Sequence, residues 1–261
     1  MKSRYFLELC FKGTLYSGWQ IQDNAISVQE KLNRALTVLL SAEIETIGCG
    51  RTDAGVHAKQ FFAQFDSLNE INDKYKFVHQ LNSILPNDIS VFDFHLVKGD
   101  TSVRYDAIKR TYQYYLYQSK NPFLKEYAAA LFYDVDVIKI NKACKILLEY
   151  DDFKCFSKSR TQVKHTICKI TEANWEEKNG FHIFTISANR FLRGMVRAII
   201  GTLLQIGKGE ISSDEFRKII ENKERSAAGA SVDACGLYLT KIEYPYLSVD
   251  KEFDFPFDIK R

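Results

Sequence analysis

The segment with the most chemical potential is a glycine-rich loop, Gly48–Ala58, that carries a single aspartate, Asp53. Arg51 stands two residues before Asp53, and an arginine at that distance favours the ionised carboxylate. An ionised carboxylate in a cleft acts as a nucleophile or as a base. The same residue types also build structural turns. The spacing therefore leaves a catalytic and a purely structural interpretation open.

A second candidate is the arginine-rich stretch that contains Arg190, Arg193 and Arg197. Their i, i+3, i+7 spacing, together with the apolar residues between them, predicts a helix over 191–206 with a stripe of guanidinium groups on one face. Such a stripe could bind phosphates or pair with a catalytic carboxylate. A solvated face of an ordinary amphipathic helix fits the pattern equally well.

The third candidate is an aromatic strand, predicted over 111–117, that follows two basic residues. On a strand Tyr112 and Tyr114 point to one face. A tyrosine beside basic residues can stack on an unpaired base of single-stranded RNA. Aromatic residues also favour strands for packing alone, so most of these tyrosines are expected in the sheet core.

The elements that would position these residues follow a mixed pattern. Strands are predicted at 5–11, 44–47, 61–65, 89–94, 111–117, 168–175, 182–187 and 236–242, and helices at 28–39, 75–85, 140–149, 191–206 and 214–222. The first part reads β-α-β-β-α-β, and the order partly recurs. We expect an α+β protein with two similar, ferredoxin-like halves, a largely antiparallel central sheet and a cleft between the halves.

This order divides the chain into a half that carries the Asp53 loop, a half that carries the aromatic strand and the arginines, and a tail. The expected bounds are 1–103, 104–248 and 249–261. The tail alternates charged and aromatic residues, which is typical of an extended terminus.

Composition excludes several classes. The chain has 261 residues, 46% hydrophobic and 26% charged, which is ordinary for a globular protein and unlike a disordered one. It shows no secretory leader and no apolar run long enough to span a membrane. Six cysteines without a CxxC pair are typical of reduced thiols, so we expect a cytoplasmic protein with no membrane partner.

The net charge of +3 is a weak indication of a nucleic-acid partner, but its distribution is uneven. Residues 1–100 contain 10 basic and 12 acidic residues, a net −2, and the remainder contains 26 and 21, a net +5. Arg160 and Lys164 belong to one basic cluster of the second part, and Arg190 and Arg193 to another. Clustered charge of this kind can attract a polyanion.

Taken together, these segments resemble the tRNA pseudouridine synthases of the TruA type. The matching strings occur in family order over nearly the whole chain, and the one around Asp53 is highly specific. They include YSGWQ at 16–20, SVQE at 27–30, GRTDAGVHA at 50–58, RTYQY at 110–114, MVR at 195–197, GTLL at 201–204 and GLYL at 236–239.

The resemblance implies that the protein isomerises uridine to pseudouridine at positions 38, 39 and 40 of the tRNA anticodon stem-loop, as a homodimer without a cofactor or metal. It assigns the catalytic aspartate to Asp53, base flipping to Arg51, packing on the target base to Tyr112, and pairing with the aspartate to Arg197.

The resemblance also places Arg104 and Tyr105 in a stretch that touches tRNA. We expect Arg160, Lys164, Arg190 and Arg193 to add RNA contacts. The chain departs from the family pattern at 165–166 and at 102–103, which leaves the contacts there open.

Three questions stay open from the sequence. Asp53 could attack C1′, attack C6 of the uracil, or remove the C2′ proton to give a glycal. A non-catalytic RNA-binding protein would keep the basic and aromatic residues without needing Asp53. A glycosidic hydrolase usually needs a second acid at set spacing, and the segment around Asp53 offers none.

Overall fold

The computed structural model describes residues 2–158, 165–247 and 249. The chain divides into two compact units, the first ending at Ile108 and the second running over Lys109–Tyr238. Leu239–Ser248 belongs to the first unit again. The expected tail lies outside the described residues apart from Val249.

The first unit contains a mostly antiparallel sheet and two helices in the predicted β-α-β-β-α-β order. Its elements are β1 (Ser3–Phe11), α1 (Val28–Leu40), β2 (Ile47–Gly48), β3 (His57–Ser67), α2 (Lys74–Ile84) and β4 (Ile89–Val97). β1 lies between β4 and β3 and is antiparallel to both, and β2 pairs with β3.

Both helices begin where the sequence places a capping residue. The Ser27 hydroxyl accepts a hydrogen bond from the Glu30 amide at 3.2 Å, and the Asp73 carboxylate accepts one from the Lys76 amide at 2.9 Å. Each such cap stabilises a helix by about 1 kcal/mol. The predicted starts of α1 and α2 are therefore confirmed to within a residue.

The strand predicted at 44–47 is wrong over most of its length, since β2 contains only Ile47 and Gly48. The amide of Ile44 donates to the Thr37 hydroxyl at 3.1 Å, and that of Thr46 donates to the Asn33 side chain at 3.0 Å. Because these amides are bonded to side chains of α1, they are not available to a strand partner.

The core of the first unit is aromatic. Tyr5 on β1 packs against Phe65 on β3 and Phe94 on β4, with ring centroids 5.3 and 5.4 Å apart. Phe77 of α2 contacts Phe94 edge-to-face at 5.2 Å. These large buried rings fix the sheet against α2 and give β3, which follows the Asp53 loop, a rigid position.

The second unit has a three-stranded antiparallel sheet, a short added strand and three helices. Its elements are β5 (Lys109–Tyr117), β6 (Ala129–Ala130), α3 (Val137–Leu147), β7 (Ile170–Lys178), β8 (Phe181–Ala188), α4 (Met195–Lys208) and α5 (Ser213–Asn222), and β9 (Leu237–Glu243) begins in it. The order is β5-β8-β7, and β6 runs parallel to β5.

The turn between β7 and β8 lies at Asn179-Gly180, between the strands predicted at 168–175 and 182–187. Both residues have positive φ, 53° and 80°, as a two-residue hairpin turn with right-handed strand twist requires. Behind this hairpin the Asn141 side chain of α3 bonds both backbone groups of Trp175, at 2.8 and 2.9 Å. The α3 helix is thereby joined to the middle of β7.

The expectation of an α+β protein with a mostly antiparallel sheet is confirmed in each unit. In the described part of the chain, no helix is long and apolar enough to cross a membrane.

Candidate active site

Asp53 lies in the loop that connects β2 to β3, and its side chain is half-buried. The Val56 amide donates to the Asp53 carbonyl at 3.2 Å, which closes a tight turn. Gly55 occupies the third position of this turn with φ of 78°, a value that L side chains rarely adopt. The glycine two residues after Asp53 is thus explained by backbone geometry.

The loop is held against a second glycine-containing segment, 13–19. The Gly55 amide donates to the Tyr16 carbonyl at 3.2 Å. A Cβ at Gly18 would lie 3.2 Å from the carbonyl carbon of Asp53 and would overlap the Thr52 carbonyl oxygen. The backbone of the 13–19 segment therefore lies directly against the backbone of Asp53.

Thr52 and Arg51 differ in exposure although they are neighbours. The Thr52 side chain is buried, and its hydroxyl has no hydrogen-bond partner among the residues that the structure describes. Arg51 is exposed. The loop thus exposes Arg51 to solvent while it buries Thr52.

Arg51 lines a depression of about 210 Å³ within the first unit. Its other lining residues come from the segment after β1, from α1, from β2 and from the end of the unit: Trp19, Gln20, Gln29, Thr46, Ile47, Gly48, Gly50 and Arg104. Two guanidinium groups around one depression favour an anionic ligand such as a phosphate.

Arg104 and Tyr105 are presented by a well-anchored turn. The Val103 amide donates to the Gln64 side chain at 3.1 Å, and the Val103 carbonyl accepts from the Tyr244 hydroxyl at 2.6 Å. Tyr105 is 81% exposed, and the Arg104 guanidinium lies 5.6 Å from its ring centroid. An exposed ring and a cation on a fixed turn suit stacking on an unpaired base.

The second unit carries the other predicted site residues. Tyr112 is half-buried on β5, and its ring contacts Phe191 edge-to-face, with centroids 5.2 Å apart and an interplanar angle of 89°. This contact fixes the orientation of the Tyr112 ring. Phe191 precedes α4, so an aromatic residue of β5 and one from the segment before α4 meet in space.

The predicted arginine stripe is wrong. Helix α4 begins at Met195, and Gly194 before it has φ of 72°, in the left-handed region. Arg190 and Arg193 therefore precede the helix, and of the three arginines only Arg197 lies on it. The i, i+3, i+7 spacing was applied across Gly194, where the backbone is not helical.

Arg197 is held by the segment after α5. Its Nε donates to the Val232 carbonyl at 2.7 Å, and the Val232 amide donates to the Arg197 carbonyl at 3.2 Å. The next residue, Asp233, accepts through its carbonyl from the Tyr114 hydroxyl at 2.9 Å. Burial raises the pKa of Tyr114, and the nearby Arg197 charge acts in the opposite direction. The Val232–Asp233 segment was not indicated by any sequence pattern.

The basic residues at the predicted RNA contacts differ in surroundings. A terminal nitrogen of Arg190 lies 3.0 Å from His165 Nε2 and 3.3 Å from Nδ1. Arg193 is exposed, and its carbonyl accepts from the Lys158 amide at 2.9 Å. Arg160 and Lys164 lie outside the described residues.

The cysteines do not provide an alternative nucleophile. Burial raises the pKa of Cys10 and Cys168 to about 11 and that of Cys144 and Cys155 to about 12. These thiols are protonated at neutral pH, and a protonated thiol is a poor nucleophile. Within the described residues, no group of three or more His, Cys, Asp or Glu could hold a metal ion.

Comparison with known proteins connects this site to one family. The model of the tRNA pseudouridine synthase family matches residues 143–245. A tRNA pseudouridine synthase A from Bacteroides fragilis is 49% identical and covers 93% of this chain and 96% of its own. Enzymes of that name from Parabacteroides distasonis, 43% identical with coverage of 93% and 96%, and Francisella tularensis, 34% identical with coverage of 95% and 96%, also match.

Proposed function

The chain belongs to the tRNA pseudouridine synthase family, and from this premise we propose that it isomerises uridine at positions 38, 39 and 40 of the tRNA anticodon stem-loop. The observation that carries the proposal is the 49% identity to a synthase over 93% of the chain. Within that match, the aspartate of the most specific string stands on a tightly held loop.

The reaction itself is an isomerisation of uridine to pseudouridine. The bond between N1 and C1′ breaks, the uracil turns, and a new bond forms between C5 and C1′. Because these atoms are buried in a stacked nucleotide, the base must first leave the stack, at a cost of a few kcal/mol. Stacking on an aromatic ring returns roughly 1–3 kcal/mol of this cost.

In this proposal Asp53 is the catalytic carboxylate, and Arg197 pairs with it. The Nε of Arg197 donates to the Val232 carbonyl at 2.7 Å, which fixes the plane of the guanidinium. A fixed planar fork is the group that recognises a carboxylate by two parallel hydrogen bonds. Tyr112, whose ring is oriented by Phe191, packs on the target base.

Arg104 holds the RNA backbone at the depression that it lines together with Arg51, and Tyr105 stacks on a neighbouring base. Arg51 enters the position that the target nucleotide leaves. The support for these roles is the exposure of Arg51 and Tyr105 on backbone segments that hydrogen bonds already hold, since a segment already ordered loses less entropy on binding.

The cleft between two similar halves and the homodimer belong to the same proposal. Folded RNA is recognised through its shape and its phosphates, which requires a wide surface. One subunit supplies the active site, and basic residues of the other, Arg160, Lys164, Arg190 and Arg193, hold the tRNA body. The enzyme meets its tRNA in the cytoplasm. Light scattering of the purified protein should give twice the chain mass of 30.1 kDa.

The function is tested by tritium release from tRNA that carries 5-tritiated uridine. The protein should release tritium from the anticodon stem-loop positions, and the product should contain pseudouridine. Free uracil as the product would instead indicate a glycosidic hydrolase. Binding of tRNA without tritium release would indicate a non-catalytic RNA-binding protein.

A further inference from the structure

One buried polar side chain next to the Asp53 loop has no part in the function proposed above. His57 is the first residue of β3, and its side chain is 2% exposed. Its Nδ1 accepts a hydrogen bond from the Gly13 amide at 3.0 Å. Because Nδ1 is the acceptor, the neutral ring carries its proton on Nε2.

Gly13 opens a short 3-10 turn, Gly13–Leu15, whose other end also contacts the Asp53 loop. The Tyr16 amide donates to the Gly13 carbonyl at 2.9 Å, which closes the turn. The Tyr16 carbonyl accepts from the Gly55 amide at 3.2 Å. The turn is therefore tied at its start to His57 and at its end to Gly55, so that both ends are joined to the segment that carries Asp53.

The turn packs tightly against the loop, so a shift of the turn would be transmitted to the loop. A Cβ at Gly13 would lie 3.1 Å from the carbonyl carbon of Gly55 and would overlap the Val56 carbonyl group. Together with the close approach of Gly18 to Thr52 and Asp53, this contact means that the 13–18 backbone sets the position of the loop backbone.

We propose that His57 is a positioning residue for the reaction. Its Nδ1 holds the Gly13–Leu15 turn against the loop. Because the loop backbone packs on this turn, the turn fixes the direction of the Asp53 carboxylate. The inference rests on the proposed role of Asp53. A displacement of about 1 Å of a reacting group costs on the order of 10²-fold in rate. The loss of one anchoring hydrogen bond is therefore expected to act on kcat.

The test compares two replacements of His57 that differ in the acceptor. His57→Phe keeps a ring and removes the acceptor, whereas His57→Asn keeps an oxygen at the distance of Nδ1 from the backbone. We expect kcat for tritium release to fall about tenfold in His57→Phe with KM for tRNA within about twofold, because a partial displacement of Asp53 costs less than the roughly 10²-fold of a full 1 Å. His57→Asn should stay within about threefold of the wild type.

Hydrogen exchange followed by mass spectrometry gives a readout that does not depend on activity. Peptides over 12–18 and 50–57 should exchange faster in His57→Phe than in His57→Asn, and peptides of β1 and β4 should be unchanged. If His57→Phe does not fold, His57→Gln replaces it, because its polar atoms reach the position of Nε2 and not that of Nδ1.

An unchanged kcat in the variant without the acceptor would overturn the inference, and so would an equal loss in His57→Asn. A rise in KM with unchanged kcat would also overturn it, since it would place His57 in RNA binding. The proposed function fails separately, if the wild-type protein releases no tritium. In that case the exchange data alone decide whether His57 holds the loop.

Discussion

Two short segments of this protein each contain an arginine, a glycine and a charged residue with a proposed role in the reaction. Their backbones are built in different ways. The Gly50–Val56 loop and the Arg190–Arg197 segment both contain a glycine with positive φ, Gly55 at 78° and Gly194 at 72°. In the first, the glycine lies inside a turn that is bonded to the neighbouring 13–19 segment. In the second, it marks the start of a helix.

The two segments show when a spacing of charged residues predicts a shared helix face. An i, i+3, i+7 pattern places side chains on one side only if each residue between them is helical. Gly194 leaves the helical region immediately before Met195, so Arg190 and Arg193 are not aligned with Arg197 by the helix. The loop around Asp53 was interpreted from residue types and not from periodicity, and its turn is present.

The segments also differ in what holds the charged residue. The backbone of the Asp53 loop is held by a hydrogen bond from Val56 to Asp53, by one from Gly55 to Tyr16, and by the close approach of Gly13 and Gly18. Arg197 is held through its own side chain, by the Val232 carbonyl. We therefore expect a substitution of Asp53 to remove a reacting group without moving the loop. A substitution of Arg197 is expected to change where its positive charge lies.

The largest effect is expected from Asp53→Asn. The amide keeps the shape of the side chain but can neither attack nor remove a proton, so kcat should fall by at least roughly 10³-fold, toward the upper range for a lost acid–base group. The affinity for tRNA, measured by filter binding, should stay within a few-fold of the wild type. Persisting activity would remove Asp53 from the mechanism.

A smaller loss is expected from Arg197→Lys. Lysine lacks the planar fork, so a charged hydrogen bond of roughly 1.5–3 kcal/mol is lost and kcat/KM should fall about 10- to 100-fold. The matched control is Arg193→Lys, which keeps the positive charge that the proposed tRNA contact needs and should therefore change kcat/KM less than threefold. Equal losses in both variants would restore the idea of a common arginine face.

A third comparison is the free energy of unfolding of two glycine variants, Gly194→Ala and Gly50→Ala. Gly194→Ala forces an L side chain to a φ of 72°, and we expect about 1–2 kcal/mol less free energy of unfolding in urea denaturation. Gly50→Ala is the control, because a Cβ there meets nothing within 4 Å. A neutral Gly194→Ala would mean that the start of α4 does not depend on glycine.

The smallest effect is expected from Thr52→Val, next to the proposed catalytic residue Asp53. The Thr52 hydroxyl is buried without a hydrogen-bond partner among the described residues, so its replacement by a methyl group should leave stability within about 0.5 kcal/mol or raise it slightly. Thermal unfolding and kcat are the measurements. A drop in kcat of tenfold or more would show that the hydroxyl serves the substrate.

Much of the fold could be predicted because it depends on local signals. Ser27 and Asp73 cap α1 and α2, and Asn179-Gly180 turns the hairpin, each through hydrogen bonds or dihedral angles of adjacent residues. The strand at 44–47 could not be predicted, because the amides of Ile44 and Thr46 are bonded to side chains of α1, which local propensity does not describe.

The sequence by itself determined the family, the residue proposed to carry the reaction and the order of the elements, because residue types, caps and turn residues act over short distances. Only the tertiary structure decided how the site residues are held. The His57 bond to Gly13, the contact of Gly18 with Thr52 and the bond of Arg197 to Val232 each join residues more than thirty positions apart. Contacts of this kind form when packed elements meet, so no window of neighbouring residues contains them.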